Sequence, residues 1–272
     1  MTTFESIMEF ASHVVWPLAV LIAIVLFRNP LSKLLDRVMR LNVEAGKFKL
    51  ETLMRDYVPP HVLSELRRNP HQLKLSGERR HVTILYSEMR GFTAMLEGFT
   101  PEAAAQYIHV YLTKMTEIIF QLGGTLDRYE GTAFTAYWGA PIAYEDASER
   151  ACNAALNMNE AVKILSPKLQ EEGYPPLLLT ITITSAEVIV GNLGSEQRFN
   201  YSIVGDYYFV LGELARMNYN FKTSILITEY TYAEIKHKFD ARLLGENVHV
   251  RGKPEPINVY ELLSKKNRNS EK

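Results

Sequence analysis

Tyr86-Ser87-Glu88-Met89-Arg90-Gly91-Phe92-Thr93 is the stretch on which the reading of this chain turns. Val82-Thr83-Ile84-Leu85-Tyr86 leads into it as an apolar, β-branched run, the composition of a strand. The strand then gives way at Gly91 to a short glycine-centred turn, where backbone N–H groups can cradle an anion. Two further segments are read beside it. They are Leu126-Asp127-Arg128-Tyr129-Glu130-Gly131-Thr132, and Tyr201-Ser202-Ile203-Val204-Gly205-Asp206 running on to Glu213.

Outward from these segments the pattern is mixed. Thr100-Pro101-Glu102 supplies a capping hydroxyl and a first-turn proline, so a helix is expected from there to about Leu122, ended by Gly123-Gly124. Thr125 to Tyr129 and Ala133 to Trp138 read as a hairpin turning at Gly131. A second long helix is expected from Glu145 to about Leu169, then strands over Leu177 to Thr184 and Val188 to Val190. Further helices start near Asp206 and Glu229, and the last strands are Ala241 to Val250 and Ile257 to Leu262. Two βαβ-like crossings with antiparallel additions predict an α+β sandwich of the ferredoxin-like type.

The bulk composition is that of a folded protein: 47% hydrophobic and 22% charged residues in a chain of 272. A formal net charge of −1 leaves no basic footprint for a nucleic-acid partner. The single cysteine, Cys152, excludes an internal disulfide and reads as a small buried hydrophobe in a helix. Residues 10–27 contain no Asp, Glu, Lys or Arg, and this length of 18 residues suffices to cross a hydrocarbon core of roughly 30 Å. Glu5 and Glu9 precede the run, which argues against a signal peptide. Arg28, Lys33, Arg37 and Arg40 follow it, so the expected topology is single-pass, with the N-terminus outside and the bulk of the chain in the cytoplasm. The expected division is 1–28 for the N-terminus and span, 29–56 for a juxtamembrane helix and linker, 57–263 for the globular domain and 264–272 for a polar tail. Leu31, Leu34, Leu35, Val38 and Leu41 recur at helical spacing, equally as a juxtamembrane helix or as a short dimer-forming coil.

Taken together with Ala136-Tyr137-Trp138-Gly139-Ala140-Pro141, Glu187 to Ser195 and Val250 to Pro256, the three segments resemble those of class III adenylate/guanylate cyclases, in family order and spacing. The resemblance implies a head-to-tail dimer with nucleotide sites at the interface, two metal ions held by a pair of aspartates, and Mg²⁺ or Mn²⁺ as the cofactor. It also implies an Asn that orients the ribose and an Arg that stabilises the phosphate. Glu88 and Thr132 stand at the aspartate positions, Phe209 and Glu213 at the Asn and Arg positions. Arg128 and Ser202 stand where adenine-type sites carry a Lys and a Thr or Asp. Gly91, Phe92 and Thr93 are the phosphate-cradling positions, with charge added by Arg251 and Lys253.

Chemistry separates these substitutions. Glu88 keeps a carboxylate but displaces it by one methylene; Thr132 offers a neutral hydroxyl, a poor ligand for a hard cation. Phe209 cannot orient a hydroxyl and, beside Tyr207 and Tyr208, is expected to fill the interface cleft where ribose would sit. Glu213 reverses a charge, which at ~5 Å and an effective dielectric near 20 opposes a phosphate by about 3 kcal/mol. The expectation is a membrane-anchored, cyclase-like signalling protein with impaired chemistry, acting as a homodimer, as a heteromer with another signalling protein, or as a nucleotide sensor. The alternative is an active cyclase with unusual metal or base preference.

Overall fold

Alternation along the central strands decides which face each helix covers. A computed structural model describes residues 77–92, 98–195, 198–250 and 253–266, and these described residues form eight strands and four helices. In chain order they are β1 (Gly77–Met89), α1 (Pro101–Gln121), β2 (Thr125–Glu130), β3 (Ala133–Trp138), α2 (Ala147–Glu171), β4 (Leu179–Ser195), β5 (Arg198–Val204), α3 (Tyr207–Phe221), β6 (Ile225–Thr228), α4 (Glu229–Ile235), β7 (Phe239–Val248) and β8 (Ile257–Lys265). Thr93, Arg251, the apolar run at 10–27 and the juxtamembrane stretch lie outside the described residues. Among the described residues no helix is long and apolar enough to cross a membrane.

The sheet runs β2-β3-β1-β4-β6-β8-β7, with β5 paired to β4. Its first four strands and two helices give the expected βαββαβ order, with β1 antiparallel to both β3 and β4. Leu85 and Met89 of β1, with Trp138 of β3, face α1 and α2 in the larger core, against Tyr111, Met115 and Met158. The alternate residues Val82 and Ile84, with Tyr137, face α3 and pack on Tyr207 and Leu211. Each face is therefore filled by one set of strand side chains.

Local signals account for the elements. Thr100 Oγ1 accepts from the Ala103 N–H at 3.3 Å at the start of α1, and Pro101 occupies its first turn. Tyr107, Tyr111, Met115 and Ile118 recur at helical spacing and are all buried. Gly124 is required by close packing: a Cβ there would sit 2.6 Å from the Trp138 ring. Cys152 is fully buried in α2, and burial pushes its thiol well above the ordinary range, as expected of an inert core residue.

Several boundaries differ from the sequence reading. The strands expected at Leu177 to Thr184 and Val188 to Val190 are one continuous element, β4, because Ser185 to Glu187 keep pairing with β1 at His81 to Thr83. Strands β5 and β6 did not declare themselves. Strand β6 is only four residues long, all buried, and is defined by pairing to β4 and β8 rather than by alternation. The final strand runs two residues beyond the expected domain end, through Ser264 and Lys265, which pair with Asp240 and Phe239.

Candidate functional site

Period-2 alternation places Tyr86 and Glu88 on the same face of β1 as Val82 and Ile84, the face that α3 covers. Tyr86 pairs with Thr135 of β3, and Thr135 pairs with Arg128 of β2, so these three residues lie side by side across the sheet. Glu130, two residues beyond Arg128, shares that face. The β4–β5 hairpin brings Ser202, paired with Gly191, back to β2. The structure thus brings Glu88, Arg128 and Ser202 into one neighbourhood, beside the start of α3.

The base side is the better built. Arg128 Nη2 approaches Ser202 Oγ at 3.5 Å. Both residues also bind Asp127, a residue that sequence reasoning passed over: Ser202 Oγ donates to Oδ1 at 2.6 Å and Arg128 Nε donates to Oδ2 at 2.5 Å. Asp127 is the extra residue of a β-bulge, since the β2–β3 register skips from Leu126 to Arg128. The bulge turns its carboxylate inward until the side chain is 0% exposed. Alternation alone would have aimed Asp127 away from Arg128, which is why the sequence carried no signal for it. The phenols of Tyr137 and Tyr207 lie nearby. Burial first, then neighbours including Asp127, holds Tyr137 well above its ordinary range and pushes Tyr207 up to about 12.

The metal side is differently furnished. The Tyr86 phenol donates to Glu88 Oε2 at 2.9 Å, and burial together with Glu88 raises the Tyr86 pKa well above normal. Thr132 sits in the β2–β3 turn behind Gly131, whose φ of +66° suits glycine. Among the described residues no three His, Cys, Asp or Glu side chains are grouped to hold a metal. One carboxylate already engaged by a phenol, plus a neutral threonine, does not fit a two-metal centre.

At the third segment, Phe209 is 47% exposed in the first turn of α3 and meets Tyr208 edge-on at 6.3 Å. About half of this residue is accessible within the protomer. Glu213, one turn on, does not stand as an isolated charge. Arg216 binds it through both Nε and Nη2, an i,i+3 pair that offsets much of the expected repulsion toward a phosphate. Lys253 Nζ lies 2.8 Å from Asp206 Oδ2 at the N-terminus of α3, and over the Tyr230 ring. Gly91 has a φ of +75°, and Phe92 packs against the larger core, so that turn is held at the end of β1.

An α+β sheet with α1, α2 and α4 on one face, α3 on the other, and convergent polar groups at the ends of β1, β2 and β5 defines a nucleotide-cyclase-type domain. The family model described as the adenylate and guanylate cyclase catalytic domain matches residues 76–264, and the chain belongs to that family. It is 26% identical over 207 residues to adenylate cyclase 1 of Rhizobium meliloti, covering 76% of this chain and 31% of that protein. It is 29% identical over 193 residues to an adenylate cyclase of Anabaena cylindrica, covering 69% of this chain and 38% of that protein. The chain therefore spans about a third of the length of these curated relatives. Among solved structures, the adenylyl cyclase CyaB from P. aeruginosa superposes with a TM-score of 0.65 at 27% identity, covering 71% of this chain and 98% of that one. The guanylyl cyclase Cya2 gives 0.61 at 28% identity, over 72% and 98%.

Proposed function

We propose that this chain is a membrane-anchored member of the cyclase family that has kept the base-recognition half of the site and lost the metal half. It acts as a nucleotide-responsive signalling subunit rather than as an efficient cyclase. One observation carries the reading. Arg128 and Ser202 are hydrogen-bonded into a built subsite, whereas the aspartate positions carry Glu88, tied to Tyr86, and Thr132. Cyclisation needs charge placed on the attacking hydroxyl and the triphosphate together. Glu88 and Thr132 do not supply the pair of carboxylates that would bridge two metal ions. Phe209 and Glu213 add to the deficit, since neither supplies a donor to a ribose or a phosphate.

The proposed anchor is residues 10–27, with the cyclase-like domain on the cytoplasmic side, by the charge asymmetry of the flanks. The proposed assembly is a homodimer, in which the exposed Tyr208 and Phe209 of α3 would be covered. A heteromer with an intact cyclase gains little, because each shared site needs carboxylates from one partner and Asn and Arg from the other.

The competing reading is a working cyclase with unusual metal or base preference. The Glu213–Arg216 pair favours it, because it removes the isolated negative charge. The deciding experiment incubates the full chain in nanodiscs with each of the four NTPs plus Mg²⁺ or Mn²⁺, and reads products by mass spectrometry. Saturable nucleotide binding without cyclic product supports the sensor; cyclic nucleotide formed at rates above about 1 s⁻¹, an ordinary enzymatic turnover, supports the cyclase.

A further inference from the structure

Asp127 is a buried carboxylate that the substituted site does not account for. Its side chain is 0% exposed, it occupies a bulge that departs from the regular β2–β3 register, and it holds both candidate base-contacting residues at once. A purely structural acid at that position needs only Arg128. The second bond, from Ser202 at 2.6 Å, has a consequence for recognition.

A serine hydroxyl has one proton, and an ionised carboxylate only accepts. With its proton committed to Asp127 Oδ1, Ser202 Oγ can offer lone pairs alone, and one of these faces Arg128 Nη2 at 3.5 Å. The remaining outward face of Ser202 is an acceptor. Arg128, fixed through Nε, presents its remaining N–H groups as donors and nothing else. The edge presented to a ligand is therefore an acceptor beside a donor.

Building on the nucleotide-binding reading above, we infer that Asp127 is a positioning residue that locks Ser202 as a hydrogen-bond acceptor and so gives the subsite a preference for a 6-aminopurine nucleotide. Adenine meets this edge with its exocyclic N–H toward Ser202 and a ring nitrogen toward Arg128. A 6-keto purine seated the same way turns oxygen lone pairs onto the lone pair of Ser202. An unpaired or opposed polar group in a desolvated site costs a large part of the binding energy that the matched pair supplies. Asp127→Asn inverts the lock. The amide oxygen must serve Arg128 Nε, so the amide N–H faces Ser202 and frees the serine proton to point toward the ligand.

The test is isothermal titration calorimetry of the full chain in nanodiscs with ATP and with ITP, which differ in having amino or keto at purine C6 and, with it, a bare or protonated N1. Calcium replaces magnesium in the buffer, to suppress turnover. Wild type is expected to bind ATP at least about tenfold more tightly than ITP, the equivalent of one well-placed hydrogen bond. Asp127→Asn is expected to bring the two within about twofold or reverse them, with its melting temperature recorded in parallel. A merely structural Asp127 would weaken both nucleotides and leave their ratio unchanged, which overturns the inference. Equal binding of ATP and ITP to wild type overturns it without any variant, so the conclusion survives an Asp127→Asn protein that fails to fold. If wild type binds neither nucleotide, the nucleotide-binding reading itself fails. If it binds both equally, only the polarity lock does.

Discussion

Tyr86 donates its phenolic proton to Glu88 Oε2 at 2.9 Å, two residues along one strand and on one face of the sheet. This bond occupies the only carboxylate that survives at the two metal positions. A phenol whose pKa is raised, first by burial and then by that same carboxylate, remains a donor throughout the physiological range. Phenol and cation compete for the same oxygen lone pairs.

Removing the phenol should therefore expose the carboxylate. Tyr86→Phe is expected to tighten Mn²⁺ binding by about fivefold, the worth of one net hydrogen bond of roughly 1 kcal/mol. Titration of free Mn²⁺ followed by electron paramagnetic resonance measures it directly. Unchanged affinity would mean that Glu88 Oε2 is not where the ion binds.

The tyrosines also set the alkaline limit of stability. In the unfolded chain phenols release their protons near pH 10. In the fold, burial holds Tyr107 and Tyr207 up to about 12, and Tyr86, Tyr111 and Tyr137 are raised as well. Between those values the unfolded state binds fewer protons than the native state, so stability must fall as pH rises above 10. Below about pH 9 these groups contribute no slope. Urea unfolding at pH 8, 10 and 11 should show a level baseline and then a decline, and Tyr207→Phe should make that decline shallower. A midpoint that stays constant to pH 11 would contradict the assigned burial.

How much of this was legible in the sequence follows from what each feature depends on. The first segment announced itself because an apolar, β-branched run ending at a glycine turn is a local signal. So did α1, through Thr100, Pro101 and the spacing of Tyr107, Tyr111 and Met115. Strand β6 was missed because Ile225-Leu226-Ile227-Thr228, buried on both faces, has no alternation to read. Asp127 was missed for a different reason: a bulge changes the direction of one side chain, and period-2 reasoning cannot foresee it. Glu213 was assigned an uncompensated charge because the ion pair with Arg216 depends on which rotamers the two side chains adopt at the surface of α3.

If the lost chemistry lies where the sequence departs from the family, restoring it requires both halves of the site. Thr132→Asp alone, or Phe209→Asn with Glu213→Arg alone, is expected to leave cyclic-nucleotide formation at background. The combined variant Glu88→Asp, Thr132→Asp, Phe209→Asn and Glu213→Arg is expected to raise it by at least about 100-fold, since misplacement of one catalytic group already costs that much. Mass spectrometry of products with Mn²⁺ reads the outcome. Full activity from a single substitution would show that the remaining positions were never limiting.

Asn218 gives the sharpest test of how α3, which carries Phe209 and Glu213, is fixed to the sheet. Its side chain is fully buried. Nδ2 donates to the carbonyls of Ile181, at 3.0 Å, and Ser224, at 3.1 Å, while Oδ1 accepts from Thr223 Oγ1 at 2.8 Å. One amide thus ties the end of α3 to β4 and to the loop entering β6, where the Ser224 carbonyl also accepts from the Ile181 N–H at 2.9 Å. Asn218→Leu fills the space but removes the amide donor to Ile181 and Ser224 and the acceptor of Thr223 Oγ1, at a cost of about 1–3 kcal/mol. Asn218→Asp replaces the donor by an acceptor facing two acceptors, and should cost at least as much at neutral pH, with partial relief as pH falls and the carboxyl takes up a proton. Chemical denaturation of both variants at pH 5 and pH 8 separates the two effects: the Asp variant should recover at low pH and the Leu variant should not. Equal pH response in the two would show that the Asn218 amide is not what fixes the end of α3 to the sheet.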